Sequence, residues 1–156
     1  MLSLAERLNI VPQVGSVEWI GVRPARGAAM TVLDEVETLA DRGLVGDRYK
    51  ASGTRQVTLI QAEHLPVIGA LVGREVTPMI VRRNLVVRGI NLLSLQKQRF
   101  AIGDVILVGT SACAPCGKME DALGVGGFQA MRGHGGICAT IERGGVIHRG
   151  DRVRLA

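Results

Sequence analysis

Phe100-Ala101-Ile102-Gly103-Asp104-Val105-Ile106-Leu107-Val108 sets a Gly-Asp turn between two short apolar runs, and Val146-Ile147-His148-Arg149-Gly150-Asp151-Arg152-Val153-Arg154-Leu155 repeats the pattern near the C-terminus. Each reads as a hairpin arm. Working outward, Gly15 to Val22 predicts a first strand, Thr31 to Leu39 a second with loose alternation, and Arg55 to Ile60 a compact third. Val81 to Arg88 interleaves Val81, Leu85 and Val87 with Arg82, Asn84 and Arg88, so as a strand it has a polar face and something polar is expected against it. Gln61 to Val72 carries helical spacing at Ala62, Leu65, Ile68 and Val72, with Pro66 near the first turn and Gly73 as a C-terminal cap. Ser3-Leu4-Ala5-Glu6 fits a capping box, which predicts a short helix within an N-terminal extension, residues 1–14, ahead of a single domain over 15–156. Val and Ile total 30 against 16 Leu, and Gly plus Pro make 26, a mix that suits short strands and tight turns. The expected class is mainly β with a few short helices (α+β) or a closed barrel, because parallel βαβ units would need more helices than the pattern offers.

A chain of 156 residues, 47% hydrophobic, can bury one substantial core. The longest stretch free of Asp, Glu, Lys and Arg is the 13 residues Val105 to Gly117. A membrane-spanning helix needs roughly 18 to 20, so none is expected. Glu6 and Arg7 interrupt the start where a secretory signal needs an apolar run, and a cytoplasmic protein is expected. Three cysteines cannot pair fully, so Cys113, Cys116 and Cys138 read as thiols or metal ligands. The net charge of +5 favours an anionic partner. Only four aromatic residues are present, too few for a nucleic-acid stacking platform, so nucleic acid is disfavoured. Sixteen of nineteen basic residues are Arg, whose planar fork suits phosphate or carboxylate.

Cys113-Ala114-Pro115-Cys116 is the sharpest local signal and leaves four readings open. A thioredoxin-like pair needs a βαβ context that the order of elements does not supply. A zinc-stabilised binding module could use Cys113, Cys116, His134 and Cys138. Cys138 and Cys113 also read as small buried hydrophobes, whereas Cys116, before Gly117-Lys118, looks least like core filler. The fourth reading is a soft thiolate that ligates a transition metal or carries a sulfane sulfur. Pieces of an anion site stand at Gly46-Asp47-Arg48, Arg55, Arg82-Arg83-Asn84 and Arg132-Gly133-His134-Gly135-Gly136. Of the histidines, His64 and His148 read as structural and only His134, between glycines, as a site candidate. Gly43, Gly46, Gly89, Gly103 and Gly150 read as turn formers. No phosphate loop and no complete dinucleotide fingerprint occurs.

Taken in order, Gly43-Leu44-Val45-Gly46-Asp47-Arg48-Tyr49, Arg55-Gln56-Val57-Thr58-Leu59-Ile60, Arg82-Arg83-Asn84-Leu85, Phe100-x-Ile102-Gly103-Asp104, Pro115-Cys116 and Gly144-Gly145-x-Ile147-x-x-Gly150-Asp151 resemble the MOSC domain, the module named for the C-terminal part of molybdenum cofactor sulfurases. The resemblance spans roughly residues 15–156 and is of the stand-alone bacterial type. It implies a closed β-barrel of the MOSC, pyruvate-kinase β-barrel-like, type and binding of the molybdenum cofactor (molybdopterin). Cys116 corresponds to the family's key cysteine, the metal ligand in members that hold molybdenum. Arg82 and Asn84 match the Arg-x-Asn pattern that helps hold the cofactor, with Arg55, Arg132, His134 and Gly135 as further cofactor-binding candidates. Cys113 matches a companion cysteine of some members.

The activity implied is that of an oxidoreductase reducing a small-molecule N-hydroxylated substrate with an external electron donor protein, or else a sulfur carrier holding a persulfide on Cys116. Only residues 1 to 14 precede the match, so the N-terminal barrel of larger members is not expected, and a partner or the second subunit of a homodimer would finish the site. Lys50, Lys97 and Lys118 are the only lysines, and none is expected to carry pyridoxal phosphate.

Overall fold

The computed structural model describes residues 1–48 and 53–156, so Tyr49 and Lys50, named above, lie outside the described residues. The β-branched runs become strands: β1 (Gly15–Val22), β2 (Thr31–Leu33), β3 (Glu35–Leu39), β4 (Gly43–Leu44), β5 (Val57–Gln61), β6 (Leu85–Arg88), β7 (Arg99–Ile102), β8 (Val105–Ala112), β9 (Ile137–Arg143), β10 (Gly145–His148) and β11 (Arg152–Leu155). Helices are short: α1 (Leu4–Leu8), α2 (His64–Val72), α3 (Pro78–Val81), α4 (Gly117–Leu123) and α5 (Gly127–Met131), with a 3-10 turn at Leu92–Leu95. Hydrogen bonding runs in the order β11-β7-β8-β9-β5-β6-β1 and closes through β1–β11, Gly15 facing Val153 and Ser16 facing Arg152. A seven-stranded closed barrel results. The register shift between Val17 and Trp19 bends β1, so that its first residues face β11 and its last pair with β2 outside the barrel.

Alternation on the strands divides the apolar residues between two cores. Leu59, Leu85 and Val87 point into the barrel with Phe100, Ile102, Leu107, Ile141 and Val153, whereas Ile60 and Val86 face outward beneath the helices. Leu65 and Ile68 of α2, Met119 and Leu123 of α4, and Ala130 and Met131 of α5 cover that outer face. Each such Leu, Ile or Met side chain, fully buried, is worth about 1.5–3 kcal/mol. The tightest approaches to the backbone admit only glycine. A Cβ on Gly136, at φ +87, would lie 1.7 Å from the Leu59 carbonyl oxygen, and one on Gly109 would lie 2.0 Å from that of Leu95.

The helix expected over residues 61–72 forms from His64, and Gly73 ends it at φ 75 with its N–H on the Gly69 carbonyl. The capping box at Ser3 forms as well, on a helix with no buried residue. Four expectations are corrected. The run from Thr31 to Leu39 splits at Asp34, β2 joining the barrel strand β1 and β3 a separate sheet of order β10-β3-β4. The Gly103-Asp104 turn does close a hairpin, β7 on β8, but Gly150-Asp151 separates strands of two different sheets, β10 on β3 and β11 on β7. Val81 to Arg88 is not one strand, since Arg82 ends α3 at φ 55 and the strand starts at Leu85. Strands β5 and β6 pair in parallel, joined by α2 and α3. No helix among the described residues is long and apolar enough to cross a membrane.

Candidate functional site

Site construction starts at the end of β1. Gly46, at φ +90, turns the chain so that Asp47 lies wholly buried beneath Arg23. The Arg23 backbone N–H and Nε donate to Asp47 Oδ1 at 2.7 and 3.2 Å, and Nη2 donates to Oδ2 at 3.0 Å. Asn84, also fully buried, knots three segments together. Its Oδ1 accepts from Arg23 Nη2 (3.2 Å), the Thr58 N–H (3.0 Å) and the Thr58 hydroxyl (3.1 Å), while Nδ2 donates to the Gly21 carbonyl (3.1 Å). Such a network is satisfied and therefore rigid.

Arg82 and Arg83 are consecutive yet diverge. With Arg82 left-handed, its Nη1 donates to the Ala28 carbonyl at 2.7 Å, pinning the loop after β1. Arg83 is 4% exposed and spreads its fork over three carbonyls: Val81 (3.0 Å), Gly135 (3.0 Å) and Cys113 (3.4 Å). No carboxylate among the described residues pairs with it, and burial lowers its pKa from the ordinary guanidinium value.

Arg23, Arg82 and Arg83 line a cleft of about 530 Å³ together with Arg26, Gly27, Arg48, Arg55, Cys116, Lys118 and Met119. Cys116 is exposed and caps α4. Six guanidinium groups and one ammonium thus surround one accessible thiol, and no acidic side chain lines the cleft among the described residues. A concave cationic surface of this kind concentrates anions, and Arg forks grip phosphate with paired hydrogen bonds. A cysteine sulfur lining such a cleft is a soft-metal ligand type.

Of the residues expected from sequence, Cys116, Arg82 and Arg55 come together here. Asn84 lies behind the wall, touching Arg23 and not lining the cleft. Arg132 and Gly135 line a different cavity, about 250 Å³, with Cys113, Pro115 and Gly136, and Arg132 bonds Gln129. His134 packs edge-on to His64, ring centroids 5.0 Å apart. Burial first, then the His134 ring, lowers the His64 pKa. Cys113 and Cys138 are both buried. The neighbouring Cys138 thiol, with the guanidinium of Arg83 nearby, holds the Cys113 thiol well below the usual range against the opposing effect of burial, and Cys113 in turn pushes Cys138 up. Among the described residues no cluster of three or more His, Cys, Asp or Glu could hold a metal ion. The Cys113-to-Cys116 segment does join a strand to a helix, but the next strand, β9, is antiparallel to β8.

Arg23 and Arg26 were not foreseen. The signal was their position: Arg23-Pro24-Ala25-Arg26-Gly27 leaves the end of a barrel strand, where loops carry function.

Comparison with known proteins agrees with this architecture. The YuaD protein from Bacillus subtilis is 17% identical and superposes with a TM-score of 0.81 over 92% of this chain and 97% of its own. YiiM from Geobacillus stearothermophilus, also 17% identical, gives 0.75 over 91% and 75%, and YiiM from Escherichia coli, again 17% identical, gives 0.70 over 90% and 69%. At such identity the likeness establishes the fold. No curated protein matches the chain. The family model described as the MOSC domain matches residues 44–154, taking in Arg48, Arg55, Arg82, Asn84 and Cys116. By that match and by its closed barrel, the chain belongs to the MOSC domain family.

Proposed function

We propose that the arginine-lined cleft binds the molybdenum cofactor with Cys116 as metal ligand, and that the protein is an oxidoreductase acting on N-hydroxylated compounds. The observation that carries the reading is the convergence of one exposed thiol and seven cationic side chains on a single cleft. The donor set fits the group: a soft sulfur for the metal, and planar forks for the phosphate of the pterin. Cys116 would ligate the metal, while Arg82, Arg55 and Arg48 would clamp the phosphate. Arg23, held by Asp47 and Asn84, presents its charge without reorganisation. Bound there, the cofactor supplies a two-electron exchange coupled to removal of an oxygen atom from the substrate. Loss of that oxygen as water takes two protons and two electrons, the latter from an external donor protein. The positive walls steer and orient anions and leave the chemistry to the cofactor.

The test is elemental mass spectrometry on wild type and Cys116→Ala, both made in cells with intact cofactor synthesis. Stoichiometric molybdenum in the wild type and loss of it from an equally folded variant is the expected result. A wild type free of molybdenum overturns the proposal, and a persulfide on Cys116 in its place would make the protein a sulfur carrier.

A further inference from the structure

A second thiol site lies behind the cleft, and nothing in the proposed activity uses it. Cys113 stands opposite Gly136, its N–H on the Gly136 carbonyl at 2.8 Å, and Cys138 is two residues farther along the same run. Ile137, the residue between Gly136 and Cys138, points into the barrel, so Cys138, the second residue of β9, points away from it, and β8 carries an extra residue between Gly109 and Ala112. Gly136 contributes no side chain to intervene. The two buried thiols are thus near enough for each to be the strongest influence on the other's titration, and among the described residues neither is bridged to another cysteine. Arg83, a buried guanidinium with no carboxylate partner among the described residues, faces this pair. Its charge favours a sulfur anion and makes Cys113 the better nucleophile of the two. Cys113 also lines the cavity of about 250 Å³ bordered by Pro115, Arg132, Gly133 and Gly136, which is room enough for a small oxidant to reach it.

We propose that Cys113 and Cys138 are a redox-active pair, distinct from Cys116, that a peroxide converts reversibly to an intrachain disulfide. The Cys113 sulfur attacks one peroxide oxygen, the O–O bond breaks, and the other oxygen leaves as water with a proton from solvent. Cys113 is then a sulfenic acid. The Cys138 sulfur attacks it, forming the S–S bond and expelling the sulfenic oxygen as a second water with the Cys138 proton. Two electrons from the pair reduce one peroxide to two waters. The inference does not depend on what fills the cleft.

The experiment uses full-length protein, wild type and Cys116→Ser, treated with hydrogen peroxide, denatured in an alkylating agent, digested without reduction and examined by mass spectrometry. The expected result in both proteins is loss of two hydrogens and a peptide pair joining Cys113 to Cys138, reversed by dithiothreitol. In Cys116→Ser/Cys138→Ala, oxidation should stop at a sulfenic acid on Cys113 that dimedone traps. Two alkylated thiols at 113 and 138 after peroxide fully oxidises free cysteine overturns the proposal. So does a link from Cys113 to Cys116 in the wild type, or oxidation confined to Cys116.

Discussion

Replacing Asp47 with Ala should be among the most damaging single changes available beside the cleft. The carboxylate has no exposed surface, the Arg23 side chain is 6% exposed, and three hydrogen bonds of 2.7–3.2 Å run between them. Removing one partner leaves a buried guanidinium without its carboxylate, which costs about 3–5 kcal/mol. For a chain of this size each kcal/mol moves Tm by about 2–4 °C, so a drop on the order of 10 °C is expected. Urea unfolding read by circular dichroism supplies the free energy, with an unchanged m-value confirming that compactness is preserved. An internal control exists in Arg99–Glu142, a pair at 2.8 Å whose side chains are 60% and 47% exposed. There Glu142→Ala should cost about 0–1 kcal/mol. The double variant Arg23→Met/Asp47→Leu, which removes both charges, should recover most of the loss. If Asp47→Ala falls within about 1 kcal/mol of wild type, as Glu142→Ala should, the buried pair does not organise this wall.

Gly136→Ala should lose about 3 kcal/mol or more or fail to fold, because its Cβ would meet the Leu59 carbonyl at a φ of +87; soluble protein with wild-type urea unfolding would contradict the contact. Arg83→Lys keeps a charge but cannot reach three carbonyls from one ammonium, so about 1–3 kcal/mol should be lost, again by urea unfolding, and a neutral result would show that the fork is dispensable. The lowered His64 pKa means that the unfolded chain takes up its proton first as pH falls. Stability should therefore decline below about pH 6.5, and His64→Gln should flatten that decline; an unaltered slope between pH 5 and 8 would exclude His64 as its source.

Much of the barrel was legible locally. Alternation in β7 and β8 about Gly103-Asp104 specifies a hairpin whatever the rest of the chain does, because side-chain direction along a strand has period two. The α2 helix was equally plain from its spacing and its glycine cap. Around the cleft, Cys116, Arg82 and Arg55 were visible as residue types in motifs, whereas Arg23 and Arg26 carried only the signal of lying past a strand end. Arg132 and His134 stand apart from the cleft for a physical reason: the glycines beside Arg132 line a second cavity with Cys113 and Pro115, and His134 packs edge-on to His64.

Strand-rich architecture, the Gly-Asp turns and the capped helices are properties of short segments, set by backbone preference and side-chain chemistry, and the sequence alone determined them. Tertiary structure decided everything that depends on pairing at a distance. It sent β10 and β11 to different sheets, turned Arg82 toward the Ala28 loop and Arg83 inward, and seated Cys113 against Cys138. Direction and partnership of a side chain follow from φ, ψ and strand register, and register is a bargain among all seven barrel strands that no local pattern records.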